Sequence, residues 1–398
     1  MPDNKYIYYK SALGNLSKPL AFVDMDLLNK NIEDVITRAQ DKQIRIASKS
    51  IRSLQLLEKI SRHSKQFNGI MSYSALEAEY LFQNGFDNIL IAYPVIDKKL
   101  LEKLIPFVKN NKFLTLMVDN PKHIEILQEL GNENNIEFNV CLDIDLSLQI
   151  LGLHFGVYRS PIDTLEKAKN LIDVITQFSH INLIAVMGYE AQIAGLPDRS
   201  PANSFVVNRI IRSLKKRSIT VLRQRRLEII NYIEEMGIKL KFVNGGGSGS
   251  VESTREEEKV SEVTVGSAFF APRLFDYYDS FKHHPAAGYA LEITRIPTKN
   301  IYTCHGGGYI ASGSIGVDKE PIPFLPEGCA LLKNEGAGEV QTPVKYKGKM
   351  SLNIGDPIFF RHAKAGEFCE HFNEVYLFSK DSRLEAVKTY RGEGKKFL

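Results

Sequence analysis

The chain has 398 residues, of which 43% are hydrophobic and 25% are charged, and this composition is typical of a globular protein with a large core. The formal net charge of +4 is small for this length, so nothing in it favours a nucleic-acid partner. The sequence has no run of about 18 apolar residues and its first residues lack the apolar core of a signal peptide, so we expect no membrane partner.

The cysteines are Cys141, Cys304, Cys329 and Cys369, which lie far apart and form no C-x-x-C pair. Widely spaced cysteines fit a reducing compartment better than a disulfide framework. We therefore expect a cytoplasmic protein.

The first two thirds of the chain alternate between short apolar runs and segments with helical spacing. Residues 1–18 are predicted to be irregular, residues 19–23 to form a strand, and Asp26 to cap a helix. Eight further strands are predicted at 44–47, 69–72, 89–93, 114–118, 138–143, 182–187, 240–244 and 262–265. Eight strands alternating with helices predict an α/β fold, a (β/α)8 TIM barrel, with an open doubly wound sheet as the alternative.

A long helix is predicted at residues 208–236, between strands six and seven, and it is rich in Arg and Lys. One interpretation is a basic face that binds anions. We favour a solvated helix with an apolar stripe, because acidic residues near its end offset the charge and no stacking aromatic residues interleave.

The pattern changes at His284-Pro285. Short β-rich runs broken by Gly and Pro follow at 289–295, 309–313, 344–345, 356–361 and 374–378. They predict a C-terminal antiparallel β domain of roughly 100 residues. We therefore divide the chain into an N-terminal segment (1–25), a barrel domain (26–285) and a C-terminal β domain (286–398).

Lys49 follows the first predicted barrel strand. Barrel active sites are built at the carboxyl ends of the strands. A desolvated lysine amine there can form a Schiff base with an aldehyde cofactor. The alternative is a surface lysine just past a strand.

The run Asn244-Gly245-Gly246-Gly247-Ser248 follows the seventh predicted strand. Barrel enzymes often bind a phosphate after strands seven and eight, and glycines let backbone N–H groups approach an anion. The spacing does not fit a dinucleotide fingerprint, and a flexible turn is the alternative. A reactive lysine and a phosphate cradle together would suit pyridoxal phosphate, which offers an aldehyde and a phosphate.

Two further groups of residues lie at or after the ends of predicted strands five and six. Tyr189 would stack on the cofactor or hydrogen-bond to it, and Glu190 would meet its ring nitrogen; the alternative is a pair at the barrel rim without a cofactor contact. Arg159, with Asp143 and Asp145 nearby, forms either a salt bridge at the rim or a site for a substrate carboxylate.

These motifs resemble a known family. Residues 45–50, 188–190, the triple glycine and 262–267 are similar to the alanine-racemase-type (fold type III) pyridoxal-phosphate enzymes, and within them to the D-threonine aldolase and D-serine dehydratase group. The C-terminal part joins the resemblance through residues 305–309, 335–341 and 360–364. The resemblance implies pyridoxal phosphate on Lys49 and a homodimer whose sites are completed across the subunit interface.

The resemblance also implies a small-molecule amino-acid substrate and a reaction at its Cα. We expect a lyase that performs retro-aldol cleavage or β-elimination of a D-β-hydroxy amino acid, with racemisation as the alternative. Lys49 would move protons together with His305 or His362, since the ordinary pKa of histidine suits proton transfer near neutral pH. A non-catalytic pyridoxal-phosphate carrier is the rival from another class.

The sequence departs from the resemblance at one position. Metal-dependent members carry a cysteine or an aspartate two residues after a histidine, and this chain has Lys364 after His362. An ammonium group cannot ligate a metal, so we expect His362 to act without one and Lys364 to contact the substrate carboxylate. The competing hypothesis is an irregular zinc site made of His362, Cys369 and His371.

Overall fold

Eight parallel strands close into a barrel in the computed structural model, which describes residues 2–150, 152–313, 316–381 and 383–398. Barrel strands one to eight are Gln43–Ala47, Phe67–Ser72, Ile89–Ile91, Leu114–Val118, Phe138–Ile144, Ile181–Gly188, Phe242–Gly245 and Glu262–Val265. Strand eight pairs with strand one, with Val263 opposite Ile44, and this pairing closes the sheet. Each predicted barrel strand overlaps an observed one, so the prediction of a (β/α)8 barrel is confirmed.

The helix that precedes the barrel is Met25–Ala39, and its buried residues recur every three or four positions, as expected for an amphipathic helix. Its cap is Asp24, whose side chain accepts a hydrogen bond from the Leu27 N–H group. The prediction of Asp26 as the cap is therefore wrong by two residues.

Helices follow each of the barrel strands along the chain. They are Leu54–Ser61, Ala75–Gln83, Lys98–Glu102, Ile105–Lys109, Pro121–Asn134, Leu165–Thr176, Ala191–Ala194, Phe205–Glu235, Val251–Arg255 and Ser267–Phe270. The strands Leu148–Ile150 and Leu153–Phe155 form a small hairpin beside the mouth of the barrel. None of the helices in the described ranges has the length and apolar character needed to cross a membrane.

The long helix Phe205–Glu235 confirms the helix predicted at 208–236. Its apolar stripe is buried only in the second half, because Ile233 is completely buried and Ile210 is 53% exposed. Its basic face is not uniformly solvated either. Arg226 is completely buried, which corrects the interpretation that we favoured.

The second domain is a mostly antiparallel sheet of nine strands within the described part of the chain, which confirms the predicted β domain. Its strands are Leu20–Asp24, Ala287–Thr298, Ile301–His305, Ile322–Leu325, Cys329–Leu331, Gln341–Tyr346, Pro357–Arg361, Glu374–Phe378 and Glu385–Lys388. The strand predicted at 309–313 is wrong. Gly306 and Gly307, with φ of +80° and +117°, turn the chain out of the sheet before that point.

The N-terminal residues complete this second domain. Residues Pro2–Leu13 form a helix where we predicted irregular structure. The spacing of Tyr6, Tyr9 and Leu13 places all three on one buried face. The strand Leu20–Asp24 then pairs with Ala287–Thr298 and Glu374–Phe378.

Candidate active site

Lys49 lies where barrel strand one ends, in the 3-10 turn Ser48–Ser50. Its side chain reaches a cavity at the mouth of the barrel. Its Nζ atom donates a hydrogen bond to the Oη atom of Tyr93, 3.2 Å away. Tyr93 follows barrel strand three and was not among the predicted site residues, because the sequence shows it only as the last residue of an apolar run.

The cavity has a volume of about 110 Å³. The residues that matter for its chemistry are Lys49, Tyr93, Arg159, Tyr189, Gly246 and Ser248. The closed barrel therefore brings Lys49 and the glycine loop, which are far apart in the sequence, to the walls of one cavity.

The glycine loop, residues 245–247, packs too closely for larger side chains. Gly246 has a φ of +77°, and a Cβ atom on Gly247 would lie 3.0 Å from Cε2 of Tyr189. Two of its N–H groups donate within the protein, Gly246 to the Glu190 carboxylate at 2.8 Å and Gly247 to the Ser250 hydroxyl at 3.0 Å. These two groups are thus occupied by protein acceptors, which the prediction of an anion cradle did not anticipate.

Serine hydroxyls line the cavity beside this loop. The Oγ atom of Ser248 accepts hydrogen bonds from the N–H groups of Gly266 (3.3 Å) and Ala268 (3.1 Å). Ser50 and Ser267, whose hydroxyl oxygens are 3.3 Å apart, border the same end of the cavity. Both serines could have been identified as site residues from the sequence, since Ser50 follows Lys49 directly and Ser267 follows Gly266 after strand eight.

Glu190 lies beneath the glycine loop. Its carboxylate is buried and accepts hydrogen bonds from Gly246, from Thr254 at 2.5 Å and from Arg226 at 3.2 Å. Arg226 also pairs with Glu257 at 2.5 Å. The prediction that Glu190 meets the cofactor ring does not fit these contacts. Through its hydrogen bond from Gly246, Glu190 instead holds the glycine loop in place.

Asn244 lies in the floor of the cavity. Its side-chain amide donates to Glu262 at 2.7 Å and to Thr264 at 2.9 Å. Glu262 in turn pairs with Arg45 at 2.7 Å, and both of these side chains are buried in the barrel. The network fixes Asn244, so that the floor of the cavity is rigid.

Arg159 lies between two tyrosine rings, with its guanidinium carbon 5.8 Å from the ring centre of Tyr93 and 5.2 Å from that of Tyr189. Burial acts to raise the pKa of Tyr93, but the charges of Lys49 and Arg159 and the hydrogen bond from Lys49 outweigh it, so this pKa is lowered. Burial raises the pKa of Tyr189 to about 12, although Arg159 opposes the shift.

Asp119 and Asp143 form an acidic pair near Arg159. Val118 pairs with Leu142 in the barrel, so the next residues, Asp119 and Asp143, stand side by side. Burial raises the pKa of Asp143 to about 8, and the Asp119 carboxylate adds to this shift, whereas Arg159 acts against it. Asp143 borders a small side cavity together with Arg159.

The two histidines predicted as acid–base groups lie outside the main cavity. His305 is exposed at the end of the strand Ile301–His305 in the second domain. His362 is buried, with its ring centre 4.4 Å from that of Phe368. Burial and the charge of Arg361 lower the pKa of His362 to about 3. Neither histidine borders the cavity that contains Lys49, so this geometry does not support the predicted acid–base roles of His305 and His362.

The alternative metal site is not formed. Cys369 Sγ donates to the Ile51 carbonyl at 3.5 Å, and the His371 ring stacks on Tyr309 at 4.6 Å. Within the described ranges, no three His, Cys, Asp or Glu side chains are grouped so that they could hold a metal ion. The combination of His362, Cys369 and His371 is therefore not supported.

Lys364 faces an outer cavity that shares Lys49 and Arg159 with the main one. Its Nζ atom donates to the Ser312 carbonyl oxygen at 2.6 Å. Ser312 is held in turn by Glu367, which accepts a hydrogen bond from its N–H group at 2.8 Å. The two cations predicted to bind substrate, Arg159 and Lys364, thus open onto the same space.

The family model for the N-terminal domain of alanine racemase matches residues 23–273. The chain belongs to this family. The membership confirms the resemblance to alanine-racemase-type enzymes that the motifs indicated. The match begins in the first strand and ends just after barrel strand eight, so it contains Lys49, Arg159, Tyr189 and the glycine loop.

This alanine racemase family member is also similar to proteins with other activities. The 3-hydroxy-D-aspartate aldolase of Paracoccus denitrificans (strain Pd 1222) is 20% identical over 257 residues, which are 64% of this chain and 60% of that protein. The D-threonine aldolase of Filomicrobium marinum superposes with a TM-score of 0.80 at 15% identity, covering 96% of each chain. The D-threo-3-hydroxyaspartate dehydratase of Delftia sp. HT23 gives 0.73 at 17% identity, covering 95% of this chain and 98% of that one.

Proposed function

We propose that the protein is a pyridoxal-phosphate-dependent lyase that breaks a bond at Cα of a D-β-hydroxy amino acid. The observation that carries this proposal is the single cavity shared by Lys49 and the glycine loop at the carboxyl end of the barrel. An amine at one end and serine hydroxyls beside the glycine loop at the other suit the aldehyde and the phosphate of this cofactor. The names of the similar proteins, two aldolases and a dehydratase, support a lyase.

The residues of the cavity fit the cofactor. Lys49 would hold it through the amine nitrogen, and the hydroxyls of Ser248 and Ser267 would surround its phosphate beside residues 245–247. Tyr189 would pack against its ring, above the floor that Asn244 forms. When bound, the cofactor accepts the electrons that remain at Cα after one of its bonds breaks.

Arg159 and Lys364 would bind the carboxylate of the substrate. Lys364 is held by the oxygens of Ser312, and Arg159 lies over tyrosine rings, so both cations keep charge available for an incoming anion. A carboxylate attracts both charges strongly where the cavity excludes water. The β-hydroxyl would then lie toward Tyr93 and Lys49.

Racemisation is the second candidate, because the family model that matches the chain is named for a racemase. The two activities use the same first binding event and differ in the bond that breaks. A carrier without catalysis remains the rival from another class, but it would not need a second domain beside the cofactor.

We also propose a homodimer in the cytoplasm. Tyr158, next to Arg159, is 87% exposed, and Phe205, at the start of the long helix, is 75% exposed; a second subunit would cover such side chains. Exposed His305 would then act in the site of the partner. The free state of Cys141, Cys304, Cys329 and Cys369 supports a reducing compartment.

The test combines trapping with a substrate screen. The purified protein loaded with pyridoxal phosphate should be yellow, and borohydride should bleach it and leave the adduct on the peptide that contains Lys49. D- and L-amino acids are then assayed for aldehyde, keto acid and loss of chirality. Loss of chirality alone would favour the racemase, and a colourless protein that ignores the cofactor would exclude both.

A further inference from the structure

The proposed reaction requires a second acid–base group in the cavity. Breaking a bond at Cα of a β-hydroxy amino acid moves one proton at the β-oxygen and another at Cα, and one lysine cannot hold both at once. His362 is buried elsewhere and His305 is outside the cavity of its own chain. The nearest candidates within this chain are therefore the side chains on the walls of the cavity itself.

Three tyrosines line that cavity: Tyr73, Tyr93 and Tyr189. Tyr93 differs from the others because its hydroxyl accepts a hydrogen bond from the amine of Lys49 at 3.2 Å. Tyr189 packs instead against Gly247, and the ring of Tyr73 lies 5.4 Å from the guanidinium of Arg52.

We propose that Tyr93 is the second catalytic acid–base residue, which exchanges the proton of the substrate β-hydroxyl while Lys49 exchanges the proton at Cα. The proposal rests on the proposed function. It adds a residue that neither the motifs nor the family match singled out.

The charges around Tyr93 support this role. The groups that face it are Lys49, Arg159, Asp143 and the Tyr189 hydroxyl. Burial and Asp143 act to raise the pKa of Tyr93, but the two cations lower it on balance. The pKa of Tyr73 is instead raised, by burial and by Glu77. Tyr93 is thus the tyrosine of this cavity whose surroundings most favour the phenolate.

Tyr93 and Lys49 together account for every proton that moves in a retro-aldol cleavage. The phenolate oxygen of Tyr93 takes the β-hydroxyl proton while the Cα–Cβ bond breaks and the β-carbon leaves as an aldehyde. The electron pair of the broken bond remains at Cα, which then takes a proton from the Lys49 ammonium group. The proton on Tyr93 returns to Lys49 through their hydrogen bond, so a β-hydroxy amino acid gives glycine and an aldehyde.

The first experiment compares Tyr93→Phe with Tyr80→Phe in the holoenzyme, because Tyr80 is buried and does not border the cavity. Both variants should turn yellow and give the borohydride adduct on Lys49. Tyr93→Phe should lose about 10²- to 10⁴-fold in kcat, which is the usual contribution of a general acid–base group, and the limb of the pH–kcat/KM profile that belongs to Tyr93 should vanish. Tyr80→Phe should keep most of its turnover and the complete pH profile.

Unchanged kcat and an unchanged pH profile in yellow Tyr93→Phe would overturn the proposal while leaving the proposed function intact. A yellow wild-type protein without any turnover of β-hydroxy amino acids would instead overturn the proposed function.

The second experiment does not depend on turnover or on the folding of a Tyr93 variant. Ultraviolet difference titration of the full-length apoprotein should detect a tyrosine that ionises below the ordinary pKa of about 10. In Lys49→Gln this ionisation should move to higher pH, because a cation and a hydrogen-bond donor to the phenolate are lost. An apoprotein without such a tyrosine, or an ionisation that ignores Lys49→Gln, would refute the role of Tyr93.

Discussion

The N–H group of Gly246 donates a hydrogen bond to the carboxylate of Glu190 at 2.8 Å, so a buried ion pair lies directly beneath the glycine loop. The same carboxylate is 3.2 Å from Arg226 of the long helix. The shape of the loop therefore depends on a charge that comes from the end of strand six and on a cation from a helix outside the barrel.

Glu190→Gln should lower the free energy of unfolding by about 3 kcal/mol, since removing one partner of a buried ion pair leaves the other uncompensated. The value lies at the low end of the expected range because Glu257 still pairs with Arg226. Affinity for pyridoxal phosphate should fall as well. Urea unfolding and cofactor titration measure the two effects. The control is Glu228→Gln, because Glu228 is exposed on the long helix that carries Arg226. This variant should change stability by less than about 0.5 kcal/mol.

Gly246→Ala should weaken the binding of pyridoxal phosphate and leave the barrel folded. Gly246 has a φ of +77°, and the added Cβ would lie 3.3 Å from Thr254 Oγ1. Gly237→Ala is the matched control, because Gly237 has a φ of +78° with no atom within 4 Å of its Cβ position. Both variants should lose about 1–2 kcal/mol of stability through backbone strain. Equal cofactor affinity in the two variants would show that the phosphate does not bind beside the glycine loop.

The barrel could be predicted from the sequence because most of its strands are buried on both faces. Such strands appear as continuous apolar runs, and they alternate with helices of regular spacing. The helix Pro2–Leu13 was missed although Tyr6, Tyr9 and Leu13 have helical spacing. Those residues bury their side chains against a sheet that forms only when distant strands assemble, and polar neighbours hide the pattern.

The candidate site was predictable in part. The position of Lys49 and the glycine loop follows from barrel geometry, since loops after strands one and seven meet at the same end. Glu190 was misplaced because adjacent residues of an extended chain point in opposite directions, so Tyr189 faces the cavity and Glu190 faces the helix. The burial of His362 depends on the packing of Phe368, which no local pattern shows.

Asp143→Asn should stabilise the apoprotein at neutral pH. The folded pKa of Asp143 is raised to about 8, whereas an unfolded aspartate ionises near 3.9. Between these values the folded state binds more protons than the unfolded state, so Asp143 lowers stability as pH rises from about 4 to about 8. The gain should be on the order of 1–4 kcal/mol at pH 7 and should disappear below about pH 4. Thermal unfolding of both apoproteins across this range measures it, and an equal gain at all pH values would contradict the explanation.

Sedimentation equilibrium should give a homodimer at micromolar concentration. Burying the exposed rings of Tyr158 and Phe205 removes apolar surface from water. Tyr158→Ser should therefore weaken self-association, and activity per subunit should fall on dilution, since the partner would complete the site. A wild-type monomer with full activity at that concentration would count against the dimer.

The last prediction concerns the metal. The protein should hold no tightly bound divalent ion, because Lys364 stands where the family resemblance implies a second ligand. Its charge would repel a cation by about 1 kcal/mol or more at contact distance even in a high dielectric. Lys364→Met should raise KM for the amino acid by about tenfold, which corresponds to roughly 1.4 kcal/mol of lost carboxylate attraction, with little change in kcat. Elemental analysis of protein purified without chelator, and assays with and without EDTA, test the first expectation. One zinc or manganese ion per subunit, with activity lost on chelation and restored by that metal, would show that Lys364 does not replace the ion.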